Sequence, residues 1–391
     1  MQVRYLEKYI LDDLQNKMVF VGGPRQVGKT TLAKMTADRS FKGKSQYLNW
    51  DHAGDRRAIL SETFEHKRDL LIFDELHKYK QWKNYVKGLY DKFSPALKIM
   101  VTGNSRLDIF RRGGDSLPGR YRYYRLHPLS MAELAGANNI PEPLKELKLD
   151  RSIAKPEIFT RLFKYGGFPE IYYSGKDSEL RRWHEERAER TVKEDIRDIQ
   201  RLSDISSMLI LAELLPSKVG SQLSVNSLTE DLKVSFKTAA AWLDILENFY
   251  YHFRIHPFQS SKIRALKKEP KLYLWDWSAV PEEPARIENM IASHLLKLTH
   301  LLHDVEGYKT DLFYIRDKEK RETDFLVTIG GKPWFSVEVK SKFKGISTQH
   351  KYFREKLNIP HNYVVTLEQD VLNEQDGFVI SGAARFLSAL A

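Results

Sequence analysis

The stretch that decides the fold is Gly23-Pro24-Arg25-Gln26-Val27-Gly28-Lys29-Thr30, which fits G-x-x-x-x-G-K-[ST] at every fixed position. The apolar run Met18-Val19-Phe20-Val21-Gly22 precedes it, and Thr31-Leu32-Ala33-Lys34-Met35, which favours a helix, follows it. In this strand–loop–helix context, backbone N–H groups and a helix N-terminus can surround a phosphate. The sequence therefore predicts a P-loop, and a chance glycine-rich turn is the disfavoured alternative.

A P-loop assigns roles to its own residues. Lys29 is expected to reach the β- and γ-phosphates of ATP, and the Thr30 hydroxyl is expected to ligate Mg²⁺. The residues expected to contact the nucleotide are Gly23, Pro24, Arg25, Gln26, Val27, Gly28, Lys29, Thr30 and Thr31.

The second informative stretch is Asp69-Leu70-Leu71-Ile72-Phe73-Asp74-Glu75, an apolar run that ends in two acids. This pattern is typical of a buried parallel strand that ends at an active-site edge. We expect Asp74 to hold Mg²⁺ and Glu75 to orient or deprotonate the attacking water. The alternative makes both acids the N-terminal cap of a helix over residues 77–90.

A further apolar run, Leu97 to Thr102, ends in small polar residues. Asn104 and Ser105 are both candidates for contact with the γ-phosphate or the water. Of the two, we take Asn104 as the predicted site residue. Several arginines follow, and one could stabilise transition-state charge in cis or from a neighbouring subunit, with plain surface charge as the alternative. These arginines are Arg106, Arg111, Arg112 and Arg120, of which Arg120 is the candidate carried forward.

Composition limits the class of protein. The 391 residues carry a formal net charge of +11, which permits a nucleic-acid partner such as double-stranded DNA. Cysteine is absent, so disulfides and cysteine-ligated zinc are excluded. No signal peptide and no run of about 18 apolar residues is recognisable, so we expect a cytoplasmic protein without a membrane partner.

The pattern of elements predicts an α/β protein of four parts. A P-loop AAA-type parallel-sheet domain takes residues 1–135, a helical linker or lid 136–202, a winged helix-turn-helix 203–275, and a small α/β domain 284–391. If the winged helix binds DNA, Ser235, Lys237 and Thr238 would face the groove. The residues expected to meet phosphates are Lys262, Arg264, Lys267 and Lys268. A packing or dimerisation module is the alternative.

The C-terminal part contains a possible metal site. Glu338 and Lys340 are two positions apart in one predicted strand, so they share a face, and Asp324 lies in the strand before it. Two carboxylates and a lysine can bind a divalent cation and activate water for phosphodiester hydrolysis. Glu288 could complete the ligand set of Asp324 and Glu338, and Gln349 could brace it. A domain that only binds partners is the alternative.

Taken together, the motifs resemble a family: the predicted AAA-superfamily ATPases of bacteria and archaea with a C-terminal winged helix and a restriction-endonuclease-like domain. The stretches that carry the resemblance are Gly22 to Thr30, Phe73-Asp74-Glu75, Leu117-Pro118-Gly119-Arg120-Tyr121, Leu126-His127-Pro128-Leu129-Ser130, Tyr165-Gly166-Gly167-Phe168-Pro169, and Asp324 with Glu338-Val339-Lys340. The resemblance implies ATP binding at residues 23–30, Mg²⁺ at Thr30 and Asp74, hydrolysis assisted by Glu75, and a nuclease-like C-terminal fold. Asn104 stands where the family pattern leads us to expect glycine.

Three hypotheses follow. In the first, ATP hydrolysis regulates a DNA-directed C-terminal half. In the second, the protein is a nucleotide-switched scaffold that binds protein partners or further copies of itself, and its nuclease-like domain is inactive. In the third, ATP gates a nuclease that uses Glu338 and Lys340.

Overall fold

The computed structural model describes residues 3–65, 67–104, 117, 119–137, 140–149, 155–196, 204–259, 268–368 and 371–391. The chain forms two compact units: residues 1–127 with 193–202 and 248–250, and residues 128–192, 203–247 and 251–391. Several residues singled out above lie outside the described ones. They are Ser105, Arg106, Arg111, Arg112, Lys262, Arg264 and Lys267.

The first unit is built on a parallel sheet. Its strands are β1 (Met18–Gly22), β2 (Ser45–Asn49), β3 (Leu70–Asp74), β4 (Lys98–Gly103) and β5 (Tyr121–Arg125). Its helices are α1 (Glu7–Asp13), α2 (Lys29–Phe41), α3 (Ala53–Leu60) and α4 (Trp82–Phe93). In the described part of this unit the strand order is β2-β3-β4-β1-β5, and every neighbouring pair is parallel.

The central strands of this sheet are covered on both faces. Every residue of β1 and of β3 is buried, which is what a parallel sheet flanked by helices requires. On one face the Phe20 ring stacks on Tyr121 at 4.5 Å between centroids and meets Trp82 edge-on at 5.4 Å. The continuous apolar runs predicted as strands are therefore explained by double-sided burial.

The strand register brings the predicted motifs to one edge. Gly22 of β1 pairs with Gly103 of β4, and Asp74 of β3 pairs with Thr102 of the same strand. Because these strands run in the same direction, the chain leaves all three at their carboxyl ends, where parallel α/β sheets bind ligands. The P-loop, Glu75 and Asn104 follow directly.

The second unit begins with a helical region. The helices of this unit are α5 (Met131–Ala135), α6 (Pro156–Tyr165), α7 (Pro169–Ser174), α8 (Asp177–Glu189), α9 (Ile205–Leu214), α10 (Val225–Leu232), α11 (Phe236–Asn248), α12 (Glu283–Glu306), α13 (Thr348–Leu357) and α14 (Ala383–Ser388). The sequence favours one helix over residues 178–200, but regular α-helix ends at Glu189 and wider π-helical turns occupy Arg190–Ile196. The buried Ala188, Val192 and Ile196 are spaced by four, so they lie along one side of this segment.

A mixed sheet follows. Its strands are β6 (His252–Pro257), β7 (Lys271–Leu274), β8 (Thr310–Arg316), β9 (Glu322–Ile329), β10 (Lys332–Lys340), β11 (His361–Thr366), β12 (Leu372–Gln375) and β13 (Phe378–Gly382). Among the described residues the order is β12-β13-β11-β10-β9-β8-β6-β7. β6 pairs antiparallel with β7 and parallel with β8, where His256 faces Phe313. Strands β6 and β7, which lie within the segment predicted as a winged helix-turn-helix, thus share one sheet with the C-terminal strands.

The predicted fold class is confirmed: an α/β protein with a parallel P-loop sheet, then a helical segment, then a mixed α/β part. The boundaries at residues 136, 203 and 284, and the winged-helix and nuclease-like labels, stay predictions.

Candidate nucleotide-binding site and the acidic cluster of the second unit

The P-loop backbone is held tightly on both sides. A Cβ added at Gly23 would lie 2.5 Å from the Leu126 carbonyl oxygen, so this position has no room for a side chain. Gly28 has φ 99°, a left-handed conformation that glycine adopts without strain. The buried guanidinium of Arg4 donates hydrogen bonds to the carbonyl oxygens of Val27 (2.7 Å) and His127 (2.6 Å). The loop is therefore fixed before any ligand arrives.

Lys29 is the first residue of α2, and its side chain lies back over the loop. Its buried Nζ donates hydrogen bonds to the carbonyl oxygens of Gly23 (2.8 Å) and Pro24 (2.7 Å) and to Oδ1 of Asn104 (2.7 Å). Thr31, the third helical residue, is exposed. The ammonium thus lies where β1 and β4 end, beside the loop that would surround a phosphate.

Asp74 is the centre of a hydrogen-bond network. Its Oδ2 accepts hydrogen bonds from the hydroxyls of Thr30 and Tyr47, both at 2.6 Å, and its Oδ1 accepts one from Thr102. Burial alone would raise its pKa, but the three hydroxyl donors and the positive charge of Lys29 outweigh burial and lower the pKa of Asp74 below its ordinary value. Asp74 is therefore a carboxylate at neutral pH, as a Mg²⁺ ligand must be.

Glu75 follows Asp74 in a left-handed conformation, with φ 56°. Its backbone N–H donates to the Thr102 carbonyl oxygen (3.0 Å), which fixes the turn. The carboxylate is 13% exposed, and its Oε2 lies 3.7 Å from Nε2 of His77. Burial, together with the charges of Lys78 and Lys29, lowers the pKa of His77 to about 4, so this imidazole is neutral at pH 7.

The structure brings most of the predicted nucleotide-site residues together: the loop 23–30, Asp74, Glu75 and Asn104 share one edge of the sheet. Arg120 is placed elsewhere. Its carbonyl oxygen accepts a hydrogen bond from the Met18 N–H, at the amino end of β1, and its Nε donates to Asp91 (2.7 Å). A five-residue strand is about 15 Å long, so Arg120 does not reach the P-loop of its own chain, and only the role in trans stays a prediction.

Sequence reasoning missed four contributors: Arg4, Tyr47, His77 and Thr102. Each acts through a contact made by folding, so no local pattern marks Arg4 or Tyr47. Thr102 could have been predicted from the sequence, because it is one of the small polar residues at the end of β4. His77, two residues after Glu75, was also close enough to a motif to be considered.

The comparisons with known proteins agree with this geometry. Residues 15–135 match the family model described as an AAA domain. They form an AAA-type P-loop domain. Residues 156–281 and 285–385 match models described as domains of unknown function, DUF8612 and DUF4143.

Similar proteins extend over both units. An uncharacterized protein of Haemophilus influenzae is 23% identical over 359 residues, with 82% of each chain covered, and one of Methanocaldococcus jannaschii is 24% identical over 362 residues, with 82% of this chain and 75% of the other covered. Among solved structures, AMPPCP-bound DnaA from Aquifex aeolicus aligns with a TM-score of 0.33 and 14% identity over 62% of this chain and 86% of the other. The RuvB Holliday junction branch migration motor of Thermotoga maritima aligns with a TM-score of 0.31 and 17% identity over 64% and 86%.

Outside the AAA-type domain, the predicted C-terminal residues fall into two groups on the mixed sheet. Glu288 and Asp324 lie with Glu322 around the ammonium of Lys271, whose Nζ is 3.2 Å from Glu288 Oε1, 2.6 Å from Glu322 Oε1 and 3.8 Å from Asp324 Oδ1. We call Lys271, Glu288, Glu322 and Asp324 the acidic cluster. Burial and the charge of Glu288 raise the pKa of Asp324 to about 7, although Lys271 opposes this.

Glu338 forms the second group. Its Oε2 accepts a hydrogen bond from the Ser347 hydroxyl (3.0 Å) and lies 3.2 Å from Nδ1 of His350, while its Oε1 is 3.7 Å from Nζ of Lys340. Burial would raise the pKa of Glu338, but these neighbours outweigh burial and lower it. In the described parts of the chain, no group of three or more His, Cys, Asp or Glu side chains has the geometry of a metal site. Gln349 lies in the first turn of α13.

Two basic residues of the segment predicted as a winged helix-turn-helix are neutralised by neighbouring acids. Arg254 pairs with Asp244 and Glu247 of α11, and Lys271 lies in the acidic cluster. Lys237 and Lys268 are exposed, as is Ser235, whose hydroxyl accepts a hydrogen bond from the Thr238 N–H. No helix among the described residues is long and apolar enough to cross a membrane.

Proposed function

We propose that the AAA-type domain binds ATP and hydrolyses it with the help of Mg²⁺. The observation that carries the proposal is the 2.6 Å hydrogen bond between the Thr30 hydroxyl and Asp74 Oδ2, beside the buried ammonium of Lys29. A hydroxyl on the P-loop helix and a carboxylate at the end of another strand of the same sheet are the oxygen ligands that P-loop NTPases use for Mg²⁺.

The donor set supports this assignment. Thr30 and Asp74 supply hard oxygen ligands from two elements, and the lowered pKa of Asp74 keeps one of them ionised. Thr30 and Asp74 would hold Mg²⁺ there, and the ion would supply positive charge against the charge that develops on the phosphates. Tyr47 and Thr102, which both donate to Asp74, fix the direction of its carboxylate.

The other residues act on the phosphates and on water. Lys29 would exchange its bonds to the Gly23 and Pro24 carbonyls for bonds to β- and γ-phosphate oxygens, and the loop N–H groups would bind the same phosphates. Asn104, already in contact with Lys29, would touch the γ-phosphate or the water. Glu75 would orient the attacking water and accept its proton, beside the neutral His77.

We further propose that the hydrolysis cycle regulates a DNA-directed second unit. The net charge of +11 and the exposed Lys237 and Ser235 at the start of α11 support this role. The alternative is a nucleotide-switched scaffold that binds protein partners or a second copy of the chain. The placement of Lys271 among the acids favours the scaffold over a nuclease.

The experiment is ATP turnover by the full chain, with and without duplex DNA, for the wild type, Lys29→Ala and Lys44→Ala. Lys44 is an exposed lysine of the same domain, paired with Asp69, and serves as the matched control. Turnover that is lost in Lys29→Ala, kept in Lys44→Ala and raised by DNA supports the proposal. Turnover that Lys29→Ala leaves unchanged would overturn ATP hydrolysis at this site, and turnover indifferent to DNA would favour the scaffold.

A further inference from the structure

In the acidic cluster, three carboxylates surround one atom of the second unit, the Nζ of Lys271. The Lys271 side chain is 4% exposed, and its Nζ is within 3.8 Å of oxygens from Glu288, Glu322 and Asp324. A buried ammonium of this kind needs neighbouring carboxylates, because desolvation of an unpaired charge is very costly.

Further donors hold the carboxylates of the cluster in place. Oε2 of Glu322 accepts from Arg316 at 2.6 Å, and Oδ2 of Asp324 accepts from the Val339 N–H at 2.8 Å. The Glu288 oxygen that faces Lys271 also accepts from the Tyr273 hydroxyl at 2.7 Å. The carboxylates are therefore held by donors from the surrounding strands, in an arrangement suited to an ammonium.

The same arrangement keeps apart the carboxylates that a divalent cation would need as ligands. Glu338, predicted to be a ligand together with Glu288 and Asp324, is bound instead by Ser347, with His350 and Lys340 beside it. Mg²⁺ requires close to six oxygens at about 2.0–2.1 Å in an octahedron. The residues present do not fit a metal centre while Lys271 lies among them.

We propose that Lys271 is the resident cation of the acidic cluster, and that its ammonium takes the place which a divalent metal would otherwise occupy. The site therefore loads no divalent cation in the wild-type chain. Removal of the lysine side chain leaves three partly buried carboxylates without their shared cation, although Arg316 still pairs with Glu322, and so creates a metal site.

The first test is Mn²⁺ uptake by the full-length chain without nucleotide, measured from the electron paramagnetic resonance signal of free Mn²⁺. Lys271→Met is compared with the wild type and with Lys340→Met, a lysine of the same sheet that lies near one carboxylate only. Any Mn²⁺ bound at the P-loop is common to all three. We expect equal uptake by wild type and Lys340→Met, and one additional Mn²⁺ per chain in Lys271→Met that is lost again in Lys271→Met/Asp324→Asn.

Thermal unfolding gives a second measurement. In EDTA, Lys271→Met should unfold on the order of 10 °C below the wild type, because a buried charge network has lost one partner, and Mn²⁺ should restore most of the difference. Lys340→Met should show no such rescue. A folded Lys271→Met that takes up no Mn²⁺ and gains no stability from it would overturn the proposal.

One comparison needs no lysine variant and remains decisive if Lys271→Met does not fold. Asp324→Asn keeps an oxygen that can accept from Val339 but removes a charge. If Lys271 is the resident cation, Asp324→Asn binds as much Mn²⁺ as the wild type. A wild-type chain that loses one Mn²⁺ on this substitution contains a divalent cation in the cluster, and the proposal is wrong.

Discussion

The Tyr47 hydroxyl donates a 2.6 Å hydrogen bond to the same oxygen of Asp74 that accepts from Thr30. A tyrosine of strand β2 thereby orients the carboxylate that we propose as a Mg²⁺ ligand. Mutation of a group that orients a metal ligand typically costs about 10–100-fold in metal affinity or activity.

Tyr47→Phe should therefore raise the Mg²⁺ concentration needed for half-maximal ATP turnover by roughly 10-fold, while the KM for ATP at saturating Mg²⁺ changes little. Tyr85→Phe is the matched control, because its hydroxyl bonds the Ile59 carbonyl in the same unit, away from Asp74. An equal effect of both variants would show that Tyr47 contributes to stability alone.

Glu75→Gln should separate binding from hydrolysis. The amide keeps the shape of the side chain but cannot accept a proton from water, so turnover should fall on the order of 100-fold or more while a fluorescent ATP analogue still binds. Glu62→Gln, on the same unit at a surface position, should leave turnover unchanged. Full turnover in Glu75→Gln would remove Glu75 from the mechanism.

Gly23→Ala should damage the loop sterically. Its Cβ would lie 2.5 Å from the Leu126 carbonyl oxygen, and relief requires a shift of backbone at a cost of about 1–3 kcal/mol. We expect a lower Tm and loss of ATP-analogue binding. Gly88→Ala, in α4 with nothing within 4 Å of the added carbon, should be neutral or stabilising. Retained binding in Gly23→Ala would show that the loop relaxes more easily than this contact implies.

The buried His294 should make stability fall in weak acid. Burial lowers its pKa from 6.5 to about 3, and its Nε2 accepts from the Met131 N–H, a bond that protonation would break. Below pH 6.5 this histidine is protonated in the unfolded chain, whereas in the folded chain it stays neutral down to about pH 3. The free energy of unfolding therefore falls across that window by about 1.4 kcal/mol per pH unit. The measurement is Tm against pH for wild type, His294→Gln and the exposed His303→Gln. A shallower slope only in His294→Gln is expected, and equal slopes in all three would contradict it.

Lys237→Ala tests the DNA-directed role. If the exposed Lys237 at the start of α11 meets a phosphate, its loss should weaken duplex binding and reduce the slope of log K against log salt by about 1. Lys176→Ala, at an exposed lysine directly before α8 in the same unit, is the control. Equal slopes for both variants and the wild type would count against DNA contact at this helix.

Much of the local structure follows from the sequence because its causes are local. Serine is a residue that commonly caps helices, and α13 begins directly after Ser347, whose hydroxyl accepts from the His350 N–H. In the same way α10 begins directly after Ser224, whose hydroxyl accepts from the Ser227 N–H. In contrast, β12 has no buried residue, and without alternation of apolar and polar residues it gave no signal.

The residues of the candidate sites also fall into those that the sequence marks and those that only the fold brings together. The P-loop and Asp74 are carried by contiguous motifs, so their roles could be proposed from residue order alone. Tyr47 acts through Asp74, which is 27 positions away in the sequence. Lys271 acts through carboxylates that are 17 to 53 positions away, which only the fold brings close to it. The role of Lys271 could not be predicted, because the sequence shows its charge but not its partners.

The first unit is made of three separate pieces of chain, and this limits how it could be exchanged between proteins. Tyr123 of β5 shares a 2.9 Å hydrogen bond with Tyr250, and Arg25 of the P-loop pairs with Glu194 at 2.6 Å. A recombination event that carried residues 1–127 alone into another gene would leave both partners behind. We therefore expect this AAA-type domain to be inherited together with the helices that follow it, rather than exchanged as an independent unit.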